Sequence, residues 1–280
     1  MEIDMTDFGF EGLDFDLAET DIEEDEIPEV DEVNEPRAKL GDIFKLGNHI
    51  LMCGDSTDKK QVEHLMDGAK ADMIFTDPPY NVDYEGQNGM KIKNDKQKED
   101  DFYNFLLKAF TNMSESIKDG GTVYCCHSDV EALNFLLAFK NAGFKFTECV
   151  VWVKNSFVFG RKDYHCRHEL ILYGWKEGAS HYFINDRTQD TVWEYDKPKH
   201  NDLHPTMKPL PLVARAVKNS SKKKNIVLDL FGGSGTTLIV CEQLERKCYM
   251  MELDPRYVDV IIKRWENYTG KEAILLKNIK

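Results

Sequence analysis

Short apolar runs alternate with longer amphipathic stretches from residue 40 almost to the end of the 280-residue chain. Apolar runs bounded by Gly, Pro, Asp or Asn are typical of buried strands, whereas apolar positions that recur every three or four residues indicate helices. The pattern predicts strands at residues 49–54, 71–76, 122–127, 146–153, 168–175, 226–230 and 248–253. It predicts helices at residues 59–67, 102–117, 130–141, 210–218, 236–244 and 257–268.

This order of elements indicates the α/β class. Strands that alternate with helices form a parallel sheet with crossover helices, so we expect a doubly wound, Rossmann-like domain. The consecutive strands 146–153 and 168–175 are expected to pair in antiparallel fashion. The sheet is therefore predicted to be mostly parallel, with one antiparallel strand near its edge.

Membrane insertion and disulfide formation are both disfavoured by the sequence. No stretch of eighteen apolar residues occurs, and the N-terminus is acidic rather than basic and then apolar. We therefore expect a cytoplasmic protein without a membrane span. The seven cysteines include no Cys-x-x-Cys pair, and several lie inside apolar runs, which indicates reduced, buried thiols.

Negative charge is concentrated at the N-terminus. Residues 1–36 contain sixteen of the 50 acidic residues and no lysine or arginine, so the rest of the chain is nearly neutral. A segment that repels itself so strongly is predicted to be disordered, with a folded domain at 37–280. Its acids and scattered apolar residues leave three interpretations open: a solubilising tail, a segment that docks on a partner, and a phosphate mimic that occupies the protein's own binding groove.

A glycine-rich corner occurs at residues 227–237, where a predicted strand ends and a helix begins. Such a corner lets the backbone approach a ligand and directs helix N–H groups at it. It is not a P-loop, because Thr236 rather than Lys follows Gly235, and Leu238 replaces the third glycine of a dinucleotide site. The next strand ends at Glu252, whose carboxylate suits two ribose hydroxyls. A nucleoside site is predicted, with a tight turn and a helix-capping acid as the alternatives.

A second corner, Asp77-Pro78-Pro79-Tyr80, follows the predicted strand at 71–76. Two prolines fix the backbone and remove two N–H donors, which leaves carbonyl groups free to accept. Asp77 adds a charged acceptor and Tyr80 a flat face. This combination matches an exocyclic amino group on a planar ring, and a proline turn that ends a strand is the alternative.

These two corners together resemble those of the DNA amino-methyltransferases, which methylate N6 of adenine or N4 of cytosine. The resemblance rests on Asp77-Pro78-Pro79-Tyr80, with Phe231-Gly232-Gly233-Ser234-Gly235 downstream, and spans roughly residues 40 to 270. In that family the first motif holds the target amine and the second holds the methyl donor, S-adenosylmethionine. The catalytic motif comes first in the chain, which is similar to the circularly permuted β group of the family.

Three further segments extend the resemblance. Cys53-Gly54-Asp55-Ser56 resembles the strand end that contacts the adenine of the donor, and His168-Glu169 resembles a late strand motif. The segment 204–209 resembles the one packed against the methionine part of the donor. The implied catalytic residues are Asp77, Pro78, Pro79 and Tyr80. The implied cofactor-binding residues are Asp55, Ser56, Asp77, His204, Thr206, Lys208, Asp229, Phe231, Gly232, Ser234, Gly235, Thr236, Glu252 and Asp254.

The implied reaction is direct methyl transfer to a base flipped from double-stranded DNA, stacked on Tyr80 and held by Asp77 and the Pro78 carbonyl. In the family Ser tends to replace the Asp in N4-cytosine enzymes, so Asp77 favours N6 of adenine, with N4 of cytosine as the alternative. Methylation at C5 of cytosine needs a Pro-Cys pair, which the chain lacks. Protein-glutamine methyltransferases carry Asn in place of Asp77, and the permuted motif order argues against them.

Other classes of function stay open. A structured-RNA substrate and a non-catalytic nucleic-acid or nucleotide-binding module are the remaining alternatives. No metal is implied, because residues 165–168 lack the spacing of a tetrahedral zinc site. The resemblance leaves open a homodimer and a cognate restriction enzyme as partners.

Two polar regions are the candidates for DNA contact. One is a mobile loop at 84–101, and the other is a short target-recognition segment at 176–203. Both contain basic residues, which in and around the second region are mixed with aromatic ones. Ordinary solvated charge is the alternative. The predicted DNA-binding residues are Lys91, Lys93, Arg161, Lys162, Arg187, Lys197 and Lys199.

Overall fold

The computed structural model describes residues 22–31, 33–82, 97–157, 163–197 and 207–279. The strands are β1 Asp42–Leu46, β2 His49–Cys53, β3 Ala71–Thr76, β4 Ile117–His127, β5 Phe144–Val153, β6 His168–Lys176, β7 Val192–Glu194, β8 Ile226–Asp229, β9 Lys247–Glu252 and β10 Ile274–Asn278. The helices are α1 Lys59–Met66, α2 Glu99–Ser116, α3 Ala132–Asn141, α4 Leu210–Ser220, α5 Thr236–Gln243 and α6 Pro255–Thr269.

All of these strands join one sheet in the order β10-β1-β2-β9-β8-β3-β4-β6-β5-β7. The five central strands, from β2 to β4, are parallel to one another. Strand β6 runs antiparallel to both of its neighbours, β4 and β5. The predicted α/β fold, with its mostly parallel sheet and an antiparallel strand towards one edge, is confirmed.

Helices cover both faces of the sheet. One buried core contains Leu212 of α4, Val240 of α5 and Trp265 of α6, whereas the other contains residues of α1, α2 and α3, such as Phe110 and Phe135. Apolar burial on both faces makes the parallel strands near-continuous hydrophobic runs, which explains why they were recognisable in the sequence. Within the described ranges, no helix combines the length and the apolarity needed to cross a bilayer.

Three strands are absent from the sequence prediction. Strand β1 pairs with β2 through a tight turn at Gly47, where φ is +58°. Strand β7 has only three residues, too few for its alternating burial to stand out in the sequence, and β10 is exposed along its whole length. Edge strands of this kind take their conformation from the pairing partner rather than from their own pattern.

Two predicted boundaries were wrong. The strand predicted at 122–127 begins five residues earlier, at Ile117, immediately after α2 ends, so Gly120 and Gly121 lie inside β4. Helix α2 begins at Glu99, within the loop predicted at 84–101. Its first turn carries Glu99, Asp100 and Asp101, and acidic side chains there are stabilised by the helix dipole.

Residues 1–36 are predicted to be disordered, but part of this acidic segment packs against the domain. Residues 1–21 lie outside the described residues, but residues 22–31 pack on the domain: Pro28 is buried and Ile22 contacts the core. Asp25 forms an ion pair with the buried Arg264. The net charge of the segment did not predict this contact, because Asp25 is paired whereas Glu23, Glu24, Glu26, Glu29 and Asp31 are exposed.

Candidate active site

The motif corners identified in the sequence lie at one edge of the sheet. Strands β2, β3, β8 and β9 are parallel, so their carboxyl ends at Cys53, Thr76, Asp229 and Glu252 point the same way. Binding sites of open α/β sheets form at this edge. The backbone confirms the proximity of two corners, because the N–H of Gly54 donates to the carbonyl of Glu252 at 2.9 Å.

Asp77 follows β3 and accepts hydrogen bonds from two directions. The Tyr80 hydroxyl donates to its Oδ1 at 2.6 Å, and the Lys208 ammonium contacts its Oδ2 at 2.5 Å. The Asp77 side chain keeps 26% of its surface exposed, so a ligand donor can reach it. The intervening prolines hold the turn, and Pro78 is buried.

Asp77 belongs to a larger charged cluster. Glu169, at the start of β6, contacts Lys208 at 3.1 Å and Lys154 at 2.6 Å. The Tyr80 hydroxyl also lies 3.2 Å from Glu169. Two carboxylates and two ammonium groups balance each other's charge, which a cluster this deep in the protein requires.

The environment shifts the pKa values of the Asp77 and Glu169 carboxyl groups in opposite directions. Burial raises the pKa of Asp77, and the nearby Lys208 ammonium opposes part of that rise. Burial acts on Glu169 in the same sense, but Lys208 and Lys154 outweigh it and lower the pKa of Glu169 to about 2. Burial would lower the pKa of Lys208, but the Asp77 and Glu169 carboxylates outweigh it and raise that pKa. Lys208 is therefore a permanent cation, and Asp77 is the more basic of the two carboxylates.

Tyr80 presents its ring beside this cluster. The ring packs edge-on against Phe135, with centroids 6.2 Å apart, and Lys208 Nζ lies 5.4 Å from its centroid. The next residue, Asn81, has φ of +56° and accepts from the Gln97 N–H at 2.6 Å. Asn81 thereby ties together the two ends of the chain segment predicted to contact DNA.

The glycine corner forms a tight turn between β8 and α5. A Cβ atom at Gly232 would lie 2.8 Å from the Met250 side chain. Gly235 is the N-cap residue of α5 and has φ of +85°. A Cβ atom at Gly233, where φ is +51°, would meet no atom within 4 Å. The turn is therefore packed on one side and leaves backbone open to a ligand on the other.

Glu252 lies against this open backbone. Its carboxylate accepts from the N–H of Gly233 at 2.9 Å and from the N–H of Asp254 at 2.8 Å. Burial raises the pKa of Glu252. Asp254 caps α6 by accepting from the Arg256 N–H at 3.1 Å, so the helix-capping role that was the alternative for Glu252 belongs to Asp254.

Asp229 connects the two corners through buried hydrogen bonds. Its carboxylate is buried and accepts from the Thr76 hydroxyl at 3.0 Å, the Thr237 hydroxyl at 2.7 Å and the Phe231 N–H at 3.1 Å. Burial raises the pKa of Asp229 to about 7. The side chain thus links the end of β3, which carries the Asp77 corner, to the glycine turn and α5.

The corner after β2 completes the edge. Asp55 accepts from the N–H and hydroxyl of Thr57, each at 2.8 Å, and Ser56 is buried with its carbonyl accepting from Asn112 at 2.8 Å. The described residues of the predicted set that meet at this edge are Asp55, Ser56, Asp77, Pro78, Pro79, Tyr80, Lys208, Asp229, Phe231, Gly232, Ser234, Gly235, Thr236, Glu252 and Asp254. Those outside the described residues are Lys91, Lys93, Arg161, Lys162, Lys199, His204 and Thr206.

The two remaining candidates for DNA contact, Lys197 and Arg187, lie at opposite ends of the parallel strands. Strand β7 is parallel to β5, so Lys197, which follows it, lies near the edge with the charged cluster; its N–H donates to Asn155 at 3.3 Å. Arg187 is exposed in a turn whose neighbour Ile184 bonds to Asn219 near the end of α4. Arg187 therefore lies towards the amino ends of the parallel strands, opposite the carboxyl ends that carry Asp77, because α4 ends there shortly before β8 begins.

Sequence reasoning assigned no role to two members of the cluster. Lys154 was missed, and Glu169 entered only as part of a late strand motif. One available signal was their placement next to otherwise apolar strands, at the end of β5 and the start of β6. A charged residue at such a position is rarely buried unless it is paired.

Comparison with known proteins identifies the family. The sequence profile N6_N4_Mtase, described as a DNA methylase, matches residues 71–264. The chain is 30% identical to the type II methyltransferase M2.DpnII of Streptococcus pneumoniae over 223 residues, which cover 70% of this chain and 82% of that protein. The chain belongs to this family of DNA methylases.

Solved structures of DNA methyltransferases share the fold. The structure of the M1.HpyAVI complex with S-adenosylmethionine superimposes with a TM-score of 0.60 at 22% identity, covering 76% of this chain and 97% of that one. The cytosine-N4-specific PvuII DNA methyltransferase has a TM-score of 0.64 at 17% identity, covering 81% and 90%. The family uses S-adenosylmethionine, and its members methylate either N6 of adenine or N4 of cytosine.

Proposed function

We propose that this DNA methyltransferase transfers the methyl group of S-adenosylmethionine to N6 of adenine in double-stranded DNA. The observation that carries the proposal is the Asp77 carboxylate, a quarter exposed and held between the Tyr80 hydroxyl and the Lys208 ammonium. An exocyclic amine is a pair of N–H donors on a flat ring. Asp77 and the Pro78 carbonyl are acceptors for those donors, and the Tyr80 ring is a face for the base.

The glycine corner fits the methyl donor. Gly233 leaves open backbone, and the half-buried Glu252 carboxylate beside it is the acceptor that ribose hydroxyls require. We assign the adenosine part of the donor to Glu252, Asp55 and the glycine turn. When bound, S-adenosylmethionine supplies an electrophilic methyl group on its sulfonium.

Asp77 and Lys208 prepare the amine for attack. As the nitrogen–carbon bond forms and the methyl–sulfur bond breaks, the amine loses one proton. Asp77 is the acceptor for that proton, because its pKa is raised whereas the pKa of Glu169 is lowered to about 2. The exposed part of Asp77 then returns the proton to solvent. Positioning of the amine and of the charges around it provides the catalysis.

Methylation at N4 of cytosine is the second candidate. The fold likeness to the PvuII enzyme supports it, and the same acceptors suit the amine of either base. Asp77 favours adenine, since Ser tends to occupy its place in N4-cytosine enzymes.

The deciding experiment is incubation of the purified protein with DNA and S-adenosylmethionine, followed by digestion to nucleosides and mass analysis. We expect N6-methyldeoxyadenosine as the product. N4-methyldeoxycytidine would overturn the choice of base and leave the family assignment intact. Retention of DNA with no methylated nucleoside would identify a binding module instead of an enzyme.

A further inference from the structure

A buried arginine links the acidic N-terminal segment to the glycine corner. Arg264, on α6, is 2% exposed. Its Nη1 donates to the carbonyl of Ser234 at 2.9 Å and lies 3.3 Å from the hydroxyl oxygen of Thr236. Its Nε and Nη2 each bond to a carboxylate oxygen of Asp25 at 2.6 Å. One guanidinium therefore contacts both the glycine turn and the chain that precedes β1.

The pairing of Asp25 with Arg264 is bidentate and almost dry, because the Asp25 side chain is only 6% exposed. A fork-to-fork pair of this kind fixes the plane of the guanidinium as well as its charge. Removing the carboxylate would leave a buried cation without its counter-charge, so Arg264 would move towards water. The position of Arg264 thus depends on Asp25.

The glycine turn also needs contacts with other parts of the fold to keep its shape. Gly235 begins α5 with no side-chain cap, and Gly233 and Gly235 both have positive φ. Glycine gives little resistance to backbone motion, so this turn needs external restraint. Glu252 holds the N–H of Gly233 from one side, and Arg264 holds the carbonyl of Ser234 from the other.

The segment that carries Asp25 is anchored along its length. The backbone N–H of Glu23 donates to the side-chain oxygen of Gln243 at 3.0 Å, and the Gln243 amide donates back to the Glu23 carbonyl at 2.8 Å. Pro28 is buried, and the Arg256 guanidinium donates to the carbonyl of Asp31. Residues 22–31 thereby run across α5 and α6, and we call them the strap.

We propose that the strap is a positioning element of the methyl-donor site. Asp25 orients Arg264, and Arg264 holds the Ser234 carbonyl so that the glycine turn keeps the conformation that binds the donor. This inference rests on the proposed use of that turn for S-adenosylmethionine. Asp25 and Arg264 are positioning residues, and neither is assigned a contact with the reacting atoms.

The test compares Asp25→Asn with Glu26→Gln, which removes one exposed carboxylate from the same strap. Donor affinity is measured by calorimetry, and kcat and the two KM values are measured with DNA and donor varied separately. For Asp25→Asn we expect the donor Kd and KM to rise on the order of tenfold, the scale at which an outer contact alters a binding group. The KM for DNA should stay within about twofold, and Glu26→Gln should match the wild type in every measurement.

A merely structural role predicts a different result. If Asp25→Asn lowers the melting temperature and the active fraction but leaves the donor Kd unchanged, the strap does not position the donor site. Asp25→Glu keeps the charge on a longer stem, so it should recover most of the donor affinity. Equal weakening in Asp25→Glu and Asp25→Asn would also overturn the proposal, because charge pairing would then be irrelevant.

Hydrogen exchange separates this inference from the proposed function. Without any donor present, Asp25→Asn should speed exchange of the backbone amides at 232–238, and Glu26→Gln should not. Should the wild type bind no S-adenosylmethionine, the proposed function would fail and the strap would be judged by exchange alone. Unchanged exchange in Asp25→Asn would overturn the link between the strap and the turn.

Discussion

At the scale of single residues, the chemistry centres on the exposed part of one carboxylate. In the proposed reaction Asp77 is the acceptor for the target amine, because a quarter of its side chain is exposed, whereas Glu169 is held between two lysines. The two carboxyl groups have different environments and therefore different roles. Glu169 pairs with both Lys208 and Lys154, and we assign Asp77 to the substrate.

Asp77→Ala should lower kcat for methyl transfer at least about a thousandfold, because it removes the charged acceptor of the amine. Donor affinity should stay within a few-fold of the wild type, since Glu252 and the glycine turn remain. Single-turnover transfer and donor calorimetry check the two halves of this prediction. A normal rate of transfer in Asp77→Ala would contradict the assigned role.

Lys208→Met should shift the acidic limb of the pH–rate profile to higher pH. The pKa of Asp77 is already raised by burial, and Lys208 opposes that rise. Without the ammonium the pKa rises further, and Asp77 must be ionised to accept from the amine. Activity is therefore lost at low pH in both proteins, and the loss begins at a higher pH in the variant. A limb that does not move would show that Asp77 ionisation does not control the rate.

At the scale of elements, the glycine turn is shaped by packing as well as by φ. Gly235 and Gly68 both have positive φ, at +85° and +79°. A Cβ atom at Gly235 would lie 3.1 Å from the Ile261 side chain, whereas one at Gly68 would meet nothing within 4 Å. An alanine at either site would therefore incur the energetic cost of a positive φ, but only at Gly235 would it also crowd a neighbouring side chain.

Gly68→Ala should cost about 1–2 kcal/mol of unfolding free energy, the penalty of a left-handed non-glycine residue. Gly235→Ala should cost roughly a further 1–3 kcal/mol, because Ile261 and α6 must shift. Urea denaturation of both variants measures the difference. Equal losses would mean that Ile261 gives way freely and does not restrain the turn.

At the scale of the whole molecule, the direction of the strands decides which basic residues lie on the same side as Asp77 and are available to DNA bound there. Lys197 follows β7 at the edge that carries the cluster, whereas Arg187 precedes β7 and lies towards the other edge. A DNA duplex with one base at Asp77 reaches the first more readily than the second. The sequence alone treated the two residues alike.

Lys197→Gln should weaken DNA binding and reduce the slope of affinity against salt by about one counterion, because one phosphate contact is lost. Arg187→Gln removes one positive charge as well and should leave both quantities near the wild-type values. Binding titrations at several salt concentrations test the pair. Equal effects of the two substitutions would point to a diffuse response to net charge instead of a contact at this edge.

The sequence determined the strands and helices of the central fold and the residues at its two corners. Those features are local: a run of apolar residues, a turn rich in glycine or proline, and the acid at Glu252 that follows them can be recognised within short windows. Strands β1, β7 and β10 were not predicted, because their conformation depends on the strands they pair with rather than on their own sequences.

Only the tertiary structure decided which charges meet. Lys208 lies 131 positions from Asp77, and Arg264 lies 239 positions from Asp25, so no local pattern connects them. Each pairing depends on how the sheet orders its strands and how α6 packs on it. Both pairings follow from burial, because a charge removed from water requires a counter-charge within the fold.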